Sequence, residues 1–328
     1  MTNEPVSLAL VQRYAEQIRA NVARVIIGKQ DVIDLLLVAL LSDGHVLLED
    51  VPGMGKTVLA KSLARSLDAT FQRVQGTPDL LPTDIIGVSY YDQKHNDFVF
   101  RQGPIFAQIL LVDEVNRTTP RTQAALLEAM AERQVTVERE SRYLPRPFLV
   151  IATQNPIELE GTFPLPEAQL DRFLLRVQMG YPTEDEELEI LHRFKDKEPL
   201  AELQPVVTAT EFSDLQRAVR QVRWQPEVER YLLAIIRATR RYEAIQLGVS
   251  PRGTLALYRA CEAYAAIQGR DFVQPDDIKY LAPAVLGHRL LMTSRNRMRG
   301  KRADEIIREI VQAITVPVET IAPSPTSR

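Results

Sequence analysis

The feature that most constrains this chain is a glycine-rich loop that ends in Lys-Thr and follows a short apolar run. The loop comprises Pro52, Gly53, Met54, Gly55, Lys56, Thr57 and Val58. The apolar run 46–48 precedes it, and apolar residues at helical spacing follow in 59–64, so the pattern predicts a strand, a loop and a helix. Such a loop turns backbone N–H groups toward phosphate oxygens, with the lysine on the terminal phosphates and the hydroxyl on Mg²⁺. The loop therefore predicts a site for a nucleoside triphosphate, with Lys56 and Thr57 in those roles.

Asp50 stands where loops of this kind usually carry their first glycine. Aspartate tolerates a left-handed backbone better than most residues, so we expect Asp50 to adopt the conformation of that glycine. On this interpretation the substitution Asp50→Gly leaves nucleotide binding within a few-fold of wild type.

Two further apolar runs end in polar side chains suited to nucleotide hydrolysis. Asp113 and Glu114 follow the run 109–112, and Asn155 follows the run 148–153. Buried parallel strands deliver such residues to one edge of a sheet. Asp113 would hold Mg²⁺ through its water shell, and Glu114 would polarise the attacking water. Asn155 is placed to orient the same water or to contact the γ-phosphate.

Bulk composition is that of an ordinary globular protein. The chain has 328 residues, of which 45% are hydrophobic and 25% charged, and this length is sufficient for two domains. A net charge of −3 gives no overall attraction to nucleic acid or to anionic membranes. The single cysteine, Cys261, excludes an internal disulfide, and the four histidines have no metal-ligand spacing. Without an apolar stretch of membrane-spanning length or a signal-peptide pattern, we expect a cytoplasmic protein that does not insert into membranes.

The chain changes character at Tyr181-Pro182, after which helical periodicity dominates. We predict an α/β nucleotide-binding domain over 1–182, a helical lid over 183–290, and a C-terminal helix with a flexible tail over 291–328. Two β-hairpins are predicted inside the first domain, around 88–101 and 135–143. The predicted helices span about 4–25, 30–41, 184–196, 209–222, 227–244, 251–267, 275–287 and 303–314.

The ordered motifs resemble those of AAA+ ATPases, and most closely the MoxR family. The shared motifs are Gly53–Thr57, Leu110–Arg117, Ala152–Pro156 and Ser250–Arg252, and the segments specific to MoxR proteins are Thr77–Pro82, Asp113–Arg117 and Leu165–Phe173. The resemblance covers roughly residues 20–290. It implies a P-loop NTPase core, a parallel sheet sandwiched by helices with β-hairpin inserts, followed by a smaller all-helical lid domain.

The resemblance also implies a homo-oligomer, a hexameric ring with ATP and Mg²⁺ bound between subunits. Arg172 resembles the arginine finger that reaches the γ-phosphate of a neighbouring subunit. Arg252 resembles the sensor 2 arginine acting within its own subunit, where Ser250 and Pro251 would place it beside a helix N-terminus. Either arginine could instead form a surface salt bridge. Ile27 and Gly28 resemble the segment that packs on adenine, although a plain helix linker would read similarly.

The resemblance implies a chaperone-like remodelling ATPase whose partners carry von Willebrand factor A domains. Exposed hairpin aromatics, Tyr90, Tyr91 and Phe98, could contact such a client or stabilise one another across strands. The alternatives are a nucleic-acid motor, a chelatase-type motor subunit, or a scaffold that binds ATP without hydrolysing it. Composition counts against nucleic acid, because Arg295–Arg302 is the only dense basic run and aromatic residues make up 6% of the chain. The intact Glu114 counts against the scaffold.

Overall fold

A computed structural model describes residues 7–138, 140–156, 161–196, 198–298 and 300–316 of the protein. The predicted flexible tail from 317 onward and the start of the predicted first helix lie outside these residues. Within them, the strands are β1 (Val46–Glu49), β2 (Phe71–Gln75), β3 (Gly87–Asp92), β4 (Asp97–Gln102), β5 (Ile109–Asp113), β6 (Gln134–Val137), β7 (Glu140–Tyr143), β8 (Leu149–Gln154), β9 (Leu175–Val177), β10 (Ile245–Leu247) and β11 (Leu291–Met292).

The helices of the first half pack on these strands, and the helices of the second half share the larger of two hydrophobic cores with them. In the described residues they are α1 (Leu8–Ala23), α2 (Gln30–Leu41), α3 (Lys56–Ser66), α4 (Pro82–Ile86), α5 (Pro120–Glu132), α6 (Glu167–Leu170), α7 (Glu184–Arg193), α8 (Pro199–Glu202), α9 (Ala209–Ala218), α10 (Pro226–Thr239), α11 (Pro251–Ile267), α12 (Pro275–Leu286), α13 (Ser294–Met298) and α14 (Ala303–Ala313). Short 3₁₀ turns lie at Pro104–Phe106, Val115–Arg117, Val219–Gln221 and Gly287–Arg289.

The central sheet is parallel, with the strand order β2-β5-β8-β1-β9 in the described chain. Every residue of β5 is buried, and β1 and β8 are buried up to their last residue. Such uninterrupted apolar strands are expected where helices cover both faces of a sheet. Register pairs Gln75 with Asp113 and Leu48 with Thr153, so the carboxyl ends of β2, β5, β8 and β1 meet along one edge.

Alternate residues of the strands feed two hydrophobic cores. Leu48, Leu111 and Ile151 face a large core that also contains α1, α2, α3 and the helices of the second half. Leu47, Leu110 and Val150 face a smaller core built with α5 and closed by Phe148 and Phe173. Successive side chains of a strand point to opposite faces of the sheet. One face of the sheet therefore shares the large core with the second-half helices.

The second half is helical apart from the antiparallel pair β10–β11. Helix α11 packs on α12, α1 and α2, and α14 packs on α12 through Ile306, Ile307 and Ile310. The indole of Trp224 stacks on the ring of Tyr258 in this layer, with 4.2 Å between the ring centroids. In the part of the chain that the structure describes, no helix combines the length and apolarity needed to cross a membrane.

The predicted fold class is confirmed, including the parallel sheet, the β3–β4 and β6–β7 hairpins, and the helical second half. Helix ends were predicted less well. The helix predicted over 227–244 ends at Thr239, and the helix predicted over 184–196 ends at Arg193. Strand β9 was missed because it contributes only three residues, too few for a periodic signal.

Candidate functional site

The glycine-rich loop connects β1 to α3 and forms an open cradle. Gly53 and Gly55 have φ angles of 86° and 81°, which L side chains rarely adopt. A Cβ at either position would meet nothing within 4 Å, so the space above the loop is open. Gly55 is also the N-cap of α3, and the first N–H groups of a helix favour an anion there.

The Lys56 side chain lies across this cradle. Its ammonium donates hydrogen bonds to the carbonyl oxygens of Asp50, at 2.8 Å, and Val51, at 3.1 Å. Partial burial lowers the pKa of Lys56, and the carboxylates of Asp50, Asp113 and Glu114 oppose that shift. Because these partners are loop carbonyls, an arriving phosphate can replace them without leaving a buried charge unpaired.

Asp113 lies at the end of β5 and is almost completely buried. One carboxylate oxygen accepts a hydrogen bond from Thr153 Oγ1 at 2.8 Å, and the other pairs with the Arg73 guanidinium at 2.7 Å. Sequence reasoning missed Thr153 and Arg73, since only strand register brings β2 and β8 to either side of β5. The carboxylate is therefore held in a fixed orientation from both sides.

Glu114 follows at once with a left-handed backbone, at φ 54°. Its N–H donates to Thr153 Oγ1 at 2.8 Å, while Gln75 and Arg117 donate to its carboxylate at 3.0 Å and 3.2 Å. A non-glycine residue in this conformation is uncommon and marks a position that its surroundings determine. The backbone turn directs the two neighbouring carboxylates differently. The Asp113 carboxylate contacts Thr153 and Arg73 on the neighbouring strands, whereas the Glu114 carboxylate contacts Gln75 at the end of β2 and Arg117 in the 3₁₀ turn.

A cavity of about 360 Å³, which we call the loop cavity, brings most of the predicted site residues together. Its lining includes Pro52, Gly53, Met54, Gly55, Lys56, Thr57, Val58, Asp113, Glu114 and Asn155. No group of three or more His, Cys, Asp or Glu side chains in the described residues could hold a metal by itself. The Thr57 hydroxyl and the Asp113 carboxylate instead suit Mg²⁺, which commonly takes one or two protein oxygens and completes its shell with water and phosphate. The residues present thus fit a magnesium nucleotide.

A second cavity of about 400 Å³, the hinge cavity, adjoins the loop cavity and shares Pro52–Gly55 and Val58 with it. Its other walls are the segments 25–27 and 179–182, Lys29, and three residues within or just after α7, Glu187, Ile190 and Phe194. Ile27 lines this cavity, and its packing on adenine stays a prediction. Gly28 does not line the cavity; it has φ 66° and lies against Glu186, whose carboxylate oxygen would be 1.8 Å from a Cβ at this position. The apolar walls suit a flat aromatic base.

Asp50 does not take the conformation of a glycine, and that expectation is wrong. The described residues with positive φ do not include Asp50. Its buried carboxylate accepts hydrogen bonds from the N–H groups of Met179, at 2.5 Å, and Gly180, at 3.2 Å. The side chain therefore ties the loop to the segment that leads into α7, and this contact is one that a glycine could not make.

Arg172 and Arg252 lie in neither cavity. They line a third cavity of about 520 Å³, the arginine cavity, formed by the end of α2, the end of α5, the turn before β9 and the start of α11. Its arginines are Arg133, Arg172, Arg252, Arg259 and Arg289. One Arg172 nitrogen donates to the Leu127 carbonyl at 2.6 Å, which rests the side chain on α5.

The expectation that Arg252 acts on the nucleotide of its own subunit stays a prediction, and the structure places Arg252 in the arginine cavity and not in the loop cavity. Ser250 caps α11 as predicted, accepting from the Gly253 N–H at 3.2 Å. The same hydroxyl donates to the Asp171 carboxylate at 3.3 Å, which fixes the first turn of α11 beside Arg172. Arg252 is consequently an exposed neighbour of Arg172 and not a wall of the loop cavity.

Comparison with known proteins agrees with this architecture. Residues 45–175 match the family of AAA ATPases associated with various cellular activities, and residues 237–310 match the AAA lid domain. The sheet, the glycine-rich loop and the helical second half thus define an AAA+ ATPase.

Individual relatives identify the family of AAA+ ATPases to which the chain belongs. The chain is 39% identical over 312 residues to the chaperone MoxR1 of Mycobacterium tuberculosis, covering 92% of this chain and 82% of the relative. It is 51% identical to the uncharacterized protein YeaC of Bacillus subtilis, over 92% and 94% of the two chains. A crystal structure from Cytophaga hutchinsonii, solved as a candidate ATPase, superposes with a TM-score of 0.89 at 35% identity, covering 95% and 97%. The protein belongs to the MoxR family.

Proposed function

We propose that the protein hydrolyses ATP with Mg²⁺ and uses the energy to remodel or activate a partner protein. The observation that carries the proposal is the loop cavity, which gathers an ammonium, a hydroxyl and two carboxylates around an open glycine-rich cradle. These are the groups that phosphoryl transfer to water requires for positioning and for charge stabilisation.

Each residue of the loop cavity has a separate task in this proposal. Lys56 exchanges its carbonyl partners for the β- and γ-phosphates, and Thr57 and Asp113 hold Mg²⁺, which would neutralise phosphate charge. Glu114, oriented by Gln75 and Arg117, polarises the attacking water as a general base. Asn155, on the same wall, orients that water or contacts the γ-phosphate.

The cations for the γ-phosphate come from a neighbouring subunit in our proposal. Arg172 and Arg252 share one cavity, and the loop cavity contains neither. A homo-oligomeric ring, which we propose is a hexamer, would set the arginine cavity of one subunit against the loop cavity of the next. Residues 1–182 would act as the nucleotide-binding domain, residues 183–290 as the lid and residues 291–328 as a C-terminal extension.

The partner in this proposal is a protein that carries a von Willebrand factor A domain. The two proteins would interact in the cytoplasm. A relative named as a chaperone supports the remodelling role. The β3–β4 hairpin supports a client contact, since Phe98 is 65% exposed and Tyr90 and Tyr91 are each 48% exposed. Part of this aromatic surface stabilises the hairpin itself, because Tyr91 and Phe98 meet edge to face at 5.4 Å across the two strands.

The test compares ATP turnover by wild type and Glu114→Gln, with and without candidate partners. We expect Glu114→Gln to bind ATP normally and to hydrolyse it about 10²- to 10⁴-fold more slowly, the usual contribution of a positioned general base. The ATP-bound variant should also retain its client in a pull-down. Stimulation of wild type by an adhesion-type domain supports the chaperone role, whereas stimulation by single-stranded DNA with steep salt dependence would replace it with a nucleic-acid motor. Unchanged turnover in Glu114→Gln would overturn the proposed chemistry.

A further inference from the structure

The turn that carries Arg172 is held by an arginine of the lid. Arg289 is buried, with 3% of its side chain exposed, and lies in the 3₁₀ turn after α12. Its Nε donates to one oxygen of the Asp171 carboxylate at 2.7 Å. Its other nitrogens donate to the carbonyls of Phe173, at 2.6 Å, and Leu174, at 3.0 Å. Every carbonyl and carboxylate in this set flanks Arg172 in the chain.

The neighbouring residue reinforces the contact, because His288 Nε2 is hydrogen-bonded to the Phe173 carbonyl at 3.0 Å. The second oxygen of Asp171 accepts the Ser250 hydroxyl at 3.3 Å. One carboxylate therefore joins the Arg172 turn, the lid residue Arg289 and the first turn of α11, which carries Arg252.

We propose that Arg289 is a positioning residue that acts through Asp171 to set Arg172 and Arg252 toward the phosphates of the neighbouring subunit. The inference rests on the proposed function, in which those two arginines complete a neighbour's site. A buried guanidinium that donates from several nitrogens to a carboxylate and to carbonyls fixes direction as well as distance, which a lysine cannot do. Because both arginines depend on one pair that spans core and lid, a shift of the lid would move them together.

The first test is Arg289→Lys, which keeps the charge and removes the planar fork. Its own loop cavity is untouched, so we expect ATP affinity and KM to stay as in wild type. Turnover should fall by about 10²-fold, the usual effect of displacing a reacting group by 1 Å. The matched control is Arg223→Lys, at another lid arginine paired with an aspartate, Asp271 at 2.6 Å, but exposed and remote from Asp171. The control should retain wild-type turnover. Wild-type kcat in Arg289→Lys would overturn the proposal.

Subunit mixing separates positioning from general damage. Glu114→Gln subunits have an inactive loop cavity and an intact arginine cavity, whereas Arg289→Lys subunits have the reverse. Mixed rings therefore contain some complete sites, and we expect turnover that neither variant shows alone. If Glu114→Gln restores Arg172→Ala but not Arg289→Lys, Arg289 does not act through the finger and the inference fails while the proposed function stands. If neither mixture recovers although wild type hydrolyses ATP, the site between subunits itself is wrong.

A second variant tests the proposal in case Arg289→Lys does not fold. Asp171→Asn keeps the shape of the side chain and its acceptor for Ser250, but removes the charge that Arg289 binds. We expect a wild-type KM, reduced kcat and recovery on mixing with Glu114→Gln, with thermal unfolding recorded for each variant. Wild-type kcat in a folded Asp171→Asn would overturn the proposal, as would a reduced kcat that mixing cannot restore.

Discussion

The loop cavity and the arginine cavity are built from opposite chemistry. The loop cavity offers backbone N–H groups, one lysine and the carboxylates of Asp113 and Glu114, and its lining arginine, Arg73, is already paired with Asp113. The arginine cavity offers five guanidinium groups but no glycine-rich cradle. Hydrolysis of a triphosphate needs both sets together. The difference supports our proposal that each subunit carries halves of two different sites, and that a second subunit completes each of them.

The largest effect that would test this comparison is expected for Arg172→Ala. ATP binding should persist because the loop cavity is unchanged, while turnover should fall by about 10³- to 10⁵-fold, as when an arginine finger is removed. Equilibrium binding of a fluorescent ATP analogue and steady-state phosphate release measure the two quantities. Arg121→Ala, at an exposed arginine in the first turn of α5, is the control and should behave as wild type. Full activity of Arg172→Ala would show that Arg172 is not an arginine finger.

A smaller loss, about 10²-fold in turnover, is expected for Arg252→Ala, as for the removal of one preorganised donor. The informative measurement is subunit mixing with Lys56→Ala, which lacks a working loop cavity but keeps Arg252. Recovery of turnover would show that Arg252 acts across the interface. A mixture as inactive as its components would indicate that Arg252 acts within its own subunit. That result would contradict its proposed role across the interface.

On the loop side, Asp50→Gly should weaken nucleotide binding by about tenfold. The substitution removes hydrogen bonds from a carboxylate to Met179 and Gly180, and bonds to charged groups are worth about 1.5–3 kcal/mol. This outcome is the reverse of what the loop sequence alone suggests. Asp50→Asn keeps one acceptor oxygen and should lose less affinity. Unchanged binding by Asp50→Gly, measured by titration calorimetry, would show that the hinge contact does not support the cradle.

The last effect concerns acid, changes stability and not turnover, and distinguishes the two cavities again. His45 lines the arginine cavity, and burial, followed by the Arg133 charge, holds its pKa well below the usual value. Its Nδ1 accepts the Val150 N–H at 2.9 Å, so protonation would break that bond. Burial lowers the pKa of His288 in the same way.

The unfolded chain takes up these protons near pH 6.5 and the folded chain does not, so the contribution of the two histidines to stability is constant above that pH and falls below it. The slope is about 1.4 kcal/mol per pH unit for each histidine. Denaturant unfolding at pH 7.5 and 5.5 measures the loss. Equal stability at both pH values would mean that the histidines are not held neutral.

The loop side could be predicted from sequence because its signals are contiguous. Lys56 and Thr57 lie in one short motif, and Asp113 and Glu114 end one apolar run. Their supports could not be predicted in the same way, since Thr153 and Arg73 reach Asp113 only through strand order and register. Local patterns specify which residues end a strand, but not which strands lie side by side.

The arginine side was harder to predict because its parts are far apart in sequence. Asp171 is paired with Arg289, and Ser250 joins them only because α11 packs beside the turn before β9. Helix capping by Ser250 was predictable from Ser-Pro, whereas the direction in which that helix presents Arg252 depends on the packing of the whole lid. The expectation for Asp50 was wrong for the same reason, since the N–H groups that its carboxylate binds lie more than a hundred residues away in sequence.

The stacked pair in the helical second half gives the molecule a built-in optical label. Trp224 is the only tryptophan in the chain, and it rests almost parallel to Tyr258, with 12° between the ring planes. Tryptophan emission excited at the red edge of its absorption therefore comes from one place, where Trp224 meets the lid residue Tyr258. A shift in that emission on adding nucleotide would report rearrangement of the lid in real time, without any attached dye and separately from events in the sheet.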